Sequence, residues 1–91
     1  MLDPTLHAIA AATGQGHVSL TPTEYRLLAA LAASPGRVVR RPALIAAAWP
    51  DGARVSDNTL DAYISKLRAK LRQAGRQEQI GNARGVGYAL R

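Results

Sequence analysis

Thr59-Leu60-Asp61-Ala62-Tyr63-Ile64-Ser65-Lys66-Leu67-Arg68-Ala69-Lys70-Leu71 is the stretch that decides how this chain is read. Leu60, Ile64, Leu67 and Leu71 recur at intervals of four, three and four residues, which sets them in one narrow stripe of an α-helix. Ser56 or Asp57 can cap that helix, and Gly75 can stop it. Opposite the stripe lie Asn58, Ala62, Ser65 and Ala69, all slim, with Lys66 and Lys70 flanking them on one side and Arg68 and Arg72 on the other. A merely solvated face would mix signs and carry long side chains throughout. A slim strip between cations suits a helix entering a B-DNA major groove about 12 Å wide, with phosphates along both rims.

Working outward, the preceding residues spell two more helices. Thr21-Pro22-Thr23-Glu24 has the form of a capping box, with Thr21 as N-cap, Pro22 in the first turn and Glu24 reaching back to the cap amide. Leu27, Leu28 and Leu31 supply its apolar face, and Ser34-Pro35-Gly36 ends it. A shorter helix is expected from Pro42 through Leu44 and Ile45 to Trp49, where Pro50 stops it. After the third helix the period changes. Ile80 to Leu90 reads as two short strands around a Gly-rich turn, with Tyr88 and Leu90 on one face. Arg84 stands at the tip of that turn between Ala83 and Gly85, a form that can enter a narrow minor groove. Leu6 to Leu20 looks strand-like, with Gly14-Gln15-Gly16 as its turn.

Composition agrees with this layout. Ninety-one residues make one domain, with 12 basic side chains against 6 acidic ones, a net charge of +6 and a pI near 10.8. So basic a short chain points to a polyanionic partner. The absence of cysteine excludes disulfide frameworks and cysteine-bound zinc. The apolar run Ala8 to Ala12 is too short for a signal core or a membrane span, so no membrane association and a cytoplasmic location are expected. Catalysis finds no support: His7 and His17 are isolated, and neither Gly14-Gln15-Gly16 nor Gly85-Val86-Gly87 completes a dinucleotide fingerprint. No catalytic residue, metal site or cofactor is expected.

Four segments in register carry a family resemblance. Leu20 to Leu28, Pro35 to Val39 followed by Arg41, Leu44 and Trp49, Thr59 to Leu71, and Arg84-Gly85-Val86-Gly87-Tyr88 together resemble the OmpR/PhoB-type winged helix-turn-helix output domains of bacterial response regulators. The resemblance implies an α+β fold: strands over residues 1–20, shortened against the family's usual four-stranded sheet, a three-helix core over 21–75, and a C-terminal β-hairpin wing over 79–91. It implies binding of promoter double-stranded DNA, the third helix in the major groove and the wing in the neighbouring minor groove. Thr59, Asp61, Ala62, Lys66 and Arg68 take positions facing bases or the nearest phosphates. Asn58, Tyr63 and Ser65 stand at backbone-contacting positions, Arg41 and Trp49 where the second helix nears a phosphate, and Arg84 at the minor-groove arginine. Tyr63 replaces a frequent His. Asn82 and Ala83 replace a common Thr-Val pair, with Asn82 still able to donate.

Further partners follow from the same resemblance. They are RNA polymerase at the loop of residues 50–55, a second copy on direct-repeat sites, and a phosphorylatable receiver domain in the full-length protein. The chain is thus expected to be an effector domain, with a stand-alone regulator as the alternative. A winged-helix module that binds protein rather than DNA is the competing function, and insensitivity of duplex binding to salt would favour it.

Overall fold

The computed structural model describes residues 1–91, in the order β1 (Leu2–Asp3), β2 (Ala8–Ala10), β3 (His17–Ser19), α1 (Pro22–Ala32), β4 (Val39–Arg40), α2 (Arg41–Ala48), α3 (Asp57–Gln73), β5 (Ile80–Ala83) and β6 (Gly87–Leu90). Each helix begins and ends for an identifiable reason. Thr21 and Glu24 form the full capping box at α1. Ser56 caps α3 by accepting from the Thr59 amide, and Asp57 adds negative charge to its first turn. At its other end Gly75, at φ +70°, lets the Gly75 and Arg76 amides turn back onto the carbonyls of Arg72 and Leu71. The helix α2 has no side-chain cap, but the Arg41 amide donates to the Val86 carbonyl, and at the far end Arg26 Nε donates to the Ala48 carbonyl.

Two three-stranded antiparallel sheets flank the helices. The first has the order β1-β2-β3. Its opening strand lies earlier than the sequence reading placed it, and Leu6 is an exposed turn residue, not part of a strand. The second sheet has the order β4-β6-β5. The expected hairpin is β5-β6, with Asn82 paired to Tyr88 and Ala83 to Gly87, and β4 joins it through Val39 opposite Tyr88. That third strand is too short to show a two-residue period, so it left no mark in the sequence pattern. As the middle strand, β6 is buried along its whole length.

One core joins these layers. The stripe of Leu60, Ile64, Leu67 and Leu71 packs with Leu27, Leu28 and Leu31 of α1, Leu44 of α2, Tyr88 and Leu90 of β6, and Ile9 of the first sheet. The first sheet is also tied to the end of α3 by the Ala12 amide donating to the Ala74 carbonyl. With its apolar side thus fixed, α3 turns the opposite side to solvent. No helix is long and apolar enough to cross a membrane.

Candidate nucleic-acid interface

The solvent face of α3 carries Asn58, Thr59, Ala62, Ser65, Lys66, Ala69 and Arg72, all exposed. Ala62, Ser65 and Ala69 form its slim centre. The Thr59 hydroxyl lies 3.0 Å from Ser56 Oγ, so this side chain also braces the start of the helix. Lys66 is held at the edge: its Nζ lies 5.0 Å from the centroid of the Tyr63 ring, and Tyr63 meets Trp49 edge-on at 5.2 Å. Tyr63 and Trp49 are half-buried and pack against the core, so both are at once framework and rim.

Four charged residues expected at this face are engaged inside the fold. Arg68 donates through Nε and Nη2 to the Ile80 carbonyl, at 3.0 and 2.7 Å, which corrects its reading as a free flanking cation. Lys70 turns the other way, its Nζ 2.9 Å from the Ser19 carbonyl and 2.7 Å from Glu24 Oε1. Arg41 donates to Asp57 Oδ1, to the Asp57 carbonyl and to Asp61 Oδ1, leaving Nη1 as its remaining donor. Asp61 accepts from both Arg41 and the Tyr88 hydroxyl. These two bonds, Tyr88 first, hold its carboxyl below the ordinary range, and the Asp61 contact raises the Arg41 guanidinium further. Asp61 is therefore a junction between α2, α3 and β6 rather than a free groove-facing acid. Asp61, Arg68 and Lys70 sit at the border between stripe and strip on α3, where a long or acidic side chain can reach back to a carbonyl or a partner, and Arg41 meets Asp61 from the start of α2.

The turn between β5 and β6 projects from the second sheet. The Val86 amide closes it on the Ala83 carbonyl, and Gly85 at φ +75° supplies the left-handed residue it needs. Arg84, Gly85 and Val86 are exposed, as is Asn82 on β5. Arg84 forms no hydrogen bond or ion pair within the chain. Exposed Arg40 lies with half-buried Arg41 and the Gly85-Val86 backbone in a cleft between this turn and the start of α2. The loop over residues 50–55 is exposed except at half-buried Val55.

A helix-turn-helix in which the last helix is solvent-facing, followed by a hairpin ending in a bare arginine, defines a winged helix-turn-helix domain. Known proteins narrow the class. Residues 14–90 match the family described as "Transcriptional regulatory protein, C terminal". The response regulator MprA of Mycobacterium leprae is 40% identical over 90 residues, which is 99% of this chain and 39% of that protein. The crystal structure of the response regulator AdeR DNA-binding domain, in complex with an intercistronic region, superposes with a TM-score of 0.83 at 30% identity, covering 99% of this chain and 91% of that one. The Klebsiella pneumoniae RstA DNA-binding domain, in complex with the RstA box, gives 0.73 at 28% identity over 97% and 86%. The chain belongs to this family of OmpR/PhoB-type response-regulator DNA-binding domains.

Proposed function

We propose that this domain binds promoter double-stranded DNA as the output domain of a two-component response regulator, with α3 in the major groove and Arg84 in the adjacent minor groove. One observation carries the reading: a slim, exposed strip at Ala62, Ser65 and Ala69 on a helix whose other faces are anchored. Such a strip lets the helix approach base edges, while Lys66 and Arg72 meet phosphates beside it. Asn58, Ser65 and Asn82 add neutral polar contacts, and Arg41 has Nη1 free for a phosphate near Trp49. Small groove-facing side chains specify few bases, so part of the selectivity comes from DNA shape.

The wider assembly is proposed on the same footing. A receiver domain in the full-length protein regulates this one, a second copy binds on direct repeats, and the exposed loop over 50–55 faces RNA polymerase. The domain works in the cytoplasm, where the chromosome is, and carries out no catalysis. Selection of bound duplexes from a random DNA library tests the core of the proposal. Enrichment of one short motif beside an A·T-rich flank is the expected result. A library that stays unenriched, or recovery that does not depend on salt, would favour a protein-binding module instead.

A further inference from the structure

Tyr88 lies at the base of the wing hairpin, where it meets both helices of the helix-turn-helix. It lies on β6, four residues after Arg84 on the strand leaving the turn. Its hydroxyl donates to Asp61 Oδ1 on α3 at 2.5 Å. Two guanidinium groups lie near its ring, Arg41 of α2 at 5.6 Å and Arg68 of α3 at 5.7 Å from the centroid. Arg68 then continues to the Ile80 carbonyl on β5. A single buried phenol thus contacts both helices of the helix-turn-helix, and through Arg68 it reaches the neighbouring strand as well.

This junction matters because polar attachments of the wing toward α3 are few beside the apolar packing of Tyr88 and Leu90 on its stripe. The β4–β6 pairing spans two residues and fixes the wing to the start of α2. Toward α3, polar attachment runs through Asp61–Tyr88 and Arg68–Ile80, two turns apart along the helix. Four residues of strand form an arm of about 13 Å, so a small tilt at Tyr88 displaces the Arg84 tip by a larger distance. One base-pair step along DNA is only about 3.4 Å.

We infer that Tyr88 is a positioning residue that sets the separation between the major-groove and minor-groove elements, so that the domain selects the spacing between its core motif and an A·T-rich flank. The inference rests on the proposed placement of α3 and Arg84 in the two grooves. It assigns Asp61 the task of holding the wing and not of reading a base.

The test uses the whole domain and two labelled duplexes: one enriched from the random library, and the same duplex with its A·T-rich flank moved outward by one base pair. The natural domain is expected to prefer the first by about fivefold or more, the lower end of what one groove arginine contributes. Tyr88→Phe keeps the ring beside both guanidinium groups and removes only the hydroxyl. It should retain its helical circular dichroism while the preference falls below about twofold, most of the arginine's share being lost. Asp61→Ala, which cuts the junction from the other end, should lower the same ratio, and it decides the matter if Tyr88→Phe does not fold. A folded variant that keeps the full preference overturns the inference. If the natural domain shows no preference while Arg84→Ala weakens binding, the wing enters the groove unpositioned and the inference alone falls. If Arg84→Ala also changes nothing, the minor-groove reading falls with it.

Discussion

Lys70 reaches from the last turns of α3 to Glu24 in the first turn of α1, placing Nζ 2.7 Å from Oε1, and Glu24 is the one buried acidic residue of the domain. Burial pushes the Glu24 carboxyl up, but the Lys70 bond and the Thr21 contacts outweigh it and leave the group below its ordinary value of 4.5. The folded state therefore releases this proton more readily than the unfolded chain. Its contribution is present above the unfolded value and is lost as the pH falls through the lower folded one. Thermal melts from about pH 6 to about pH 3 should show the natural domain losing stability, with Glu24→Gln less stable at neutral pH by about 1–3 kcal/mol and flatter in acid. A Glu24→Gln variant with an unchanged acid slope would show that other carboxylates govern the acid response.

Core and groove faces of α3 should separate cleanly. Leu67 is fully buried, and Leu67→Ala should cost about 2–5 kcal/mol in denaturant unfolding. Ala62 is exposed, so Ala62→Glu should leave unfolding unchanged and abolish DNA binding by setting a carboxylate against the groove floor. If Ala62→Glu unfolds the domain, the exposed face has been misplaced.

Salt dependence should be weaker than a count of basic residues suggests. Counting Lys66, Arg68, Lys70, Arg72 and the arginines beside α2 gives ~4–6 phosphate contacts. With Arg68 and Lys70 engaged internally, about 2–4 remain, and affinity should fall with a log–log slope of roughly −2 to −4. A slope steeper than about −5 in fluorescence anisotropy would mean that the internal bonds open on DNA.

Arg84→Ala should leave the melting temperature nearly unchanged and weaken DNA binding by about 1–3 kcal/mol. Arg84→Lys should recover part of this, because the compact ammonium is more strongly hydrated. Both losses should be larger beside A·T-rich than G·C-rich flanks, since narrow grooves concentrate negative potential. Equal losses on the two flanks would make Arg84 a generic phosphate contact.

The two glycines beside the wing tip should behave differently. A Cβ at Gly87 would lie 1.9 Å from the Val39 carbonyl oxygen, across the β4–β6 pairing. Gly87→Ala should therefore cost about 3 kcal/mol, because the obstacle is backbone and cannot rotate away. At Gly85 the space is open and only φ +75° resists, so Gly85→Ala should cost about 1–2 kcal/mol and Gly85→Asn less. Melting temperatures that rank the two alanine variants the other way would contradict the β4–β6 register.

Features that repeat within one element could be read from the sequence. The capping box at Thr21, the leucine stripe of α3 and the Gly-rich turn at Gly85 each depend on residues a few positions apart. Features that need two distant segments could not. The pairing of Val39 with Tyr88 joins residues far apart in the chain through a strand of two residues. The partners of Arg68 and Lys70 are backbone carbonyls and one buried carboxylate, and nothing in a helical wheel marks where those will lie. Tyr88 was legible as a core residue, and is one, but its hydroxyl bond to Asp61 becomes visible only when β6 is laid beside α3.

The slim strip has a consequence for how such a domain changes over generations. Ala62, Ser65 and Ala69 support no part of the core, so larger side chains there would meet solvent in the free protein and, with α3 placed as proposed, bases in the complex. After duplication of its gene, this domain could acquire a new target by single substitutions at these three sites without loss of folding. Divergence of promoter choice would then run ahead of divergence in stability.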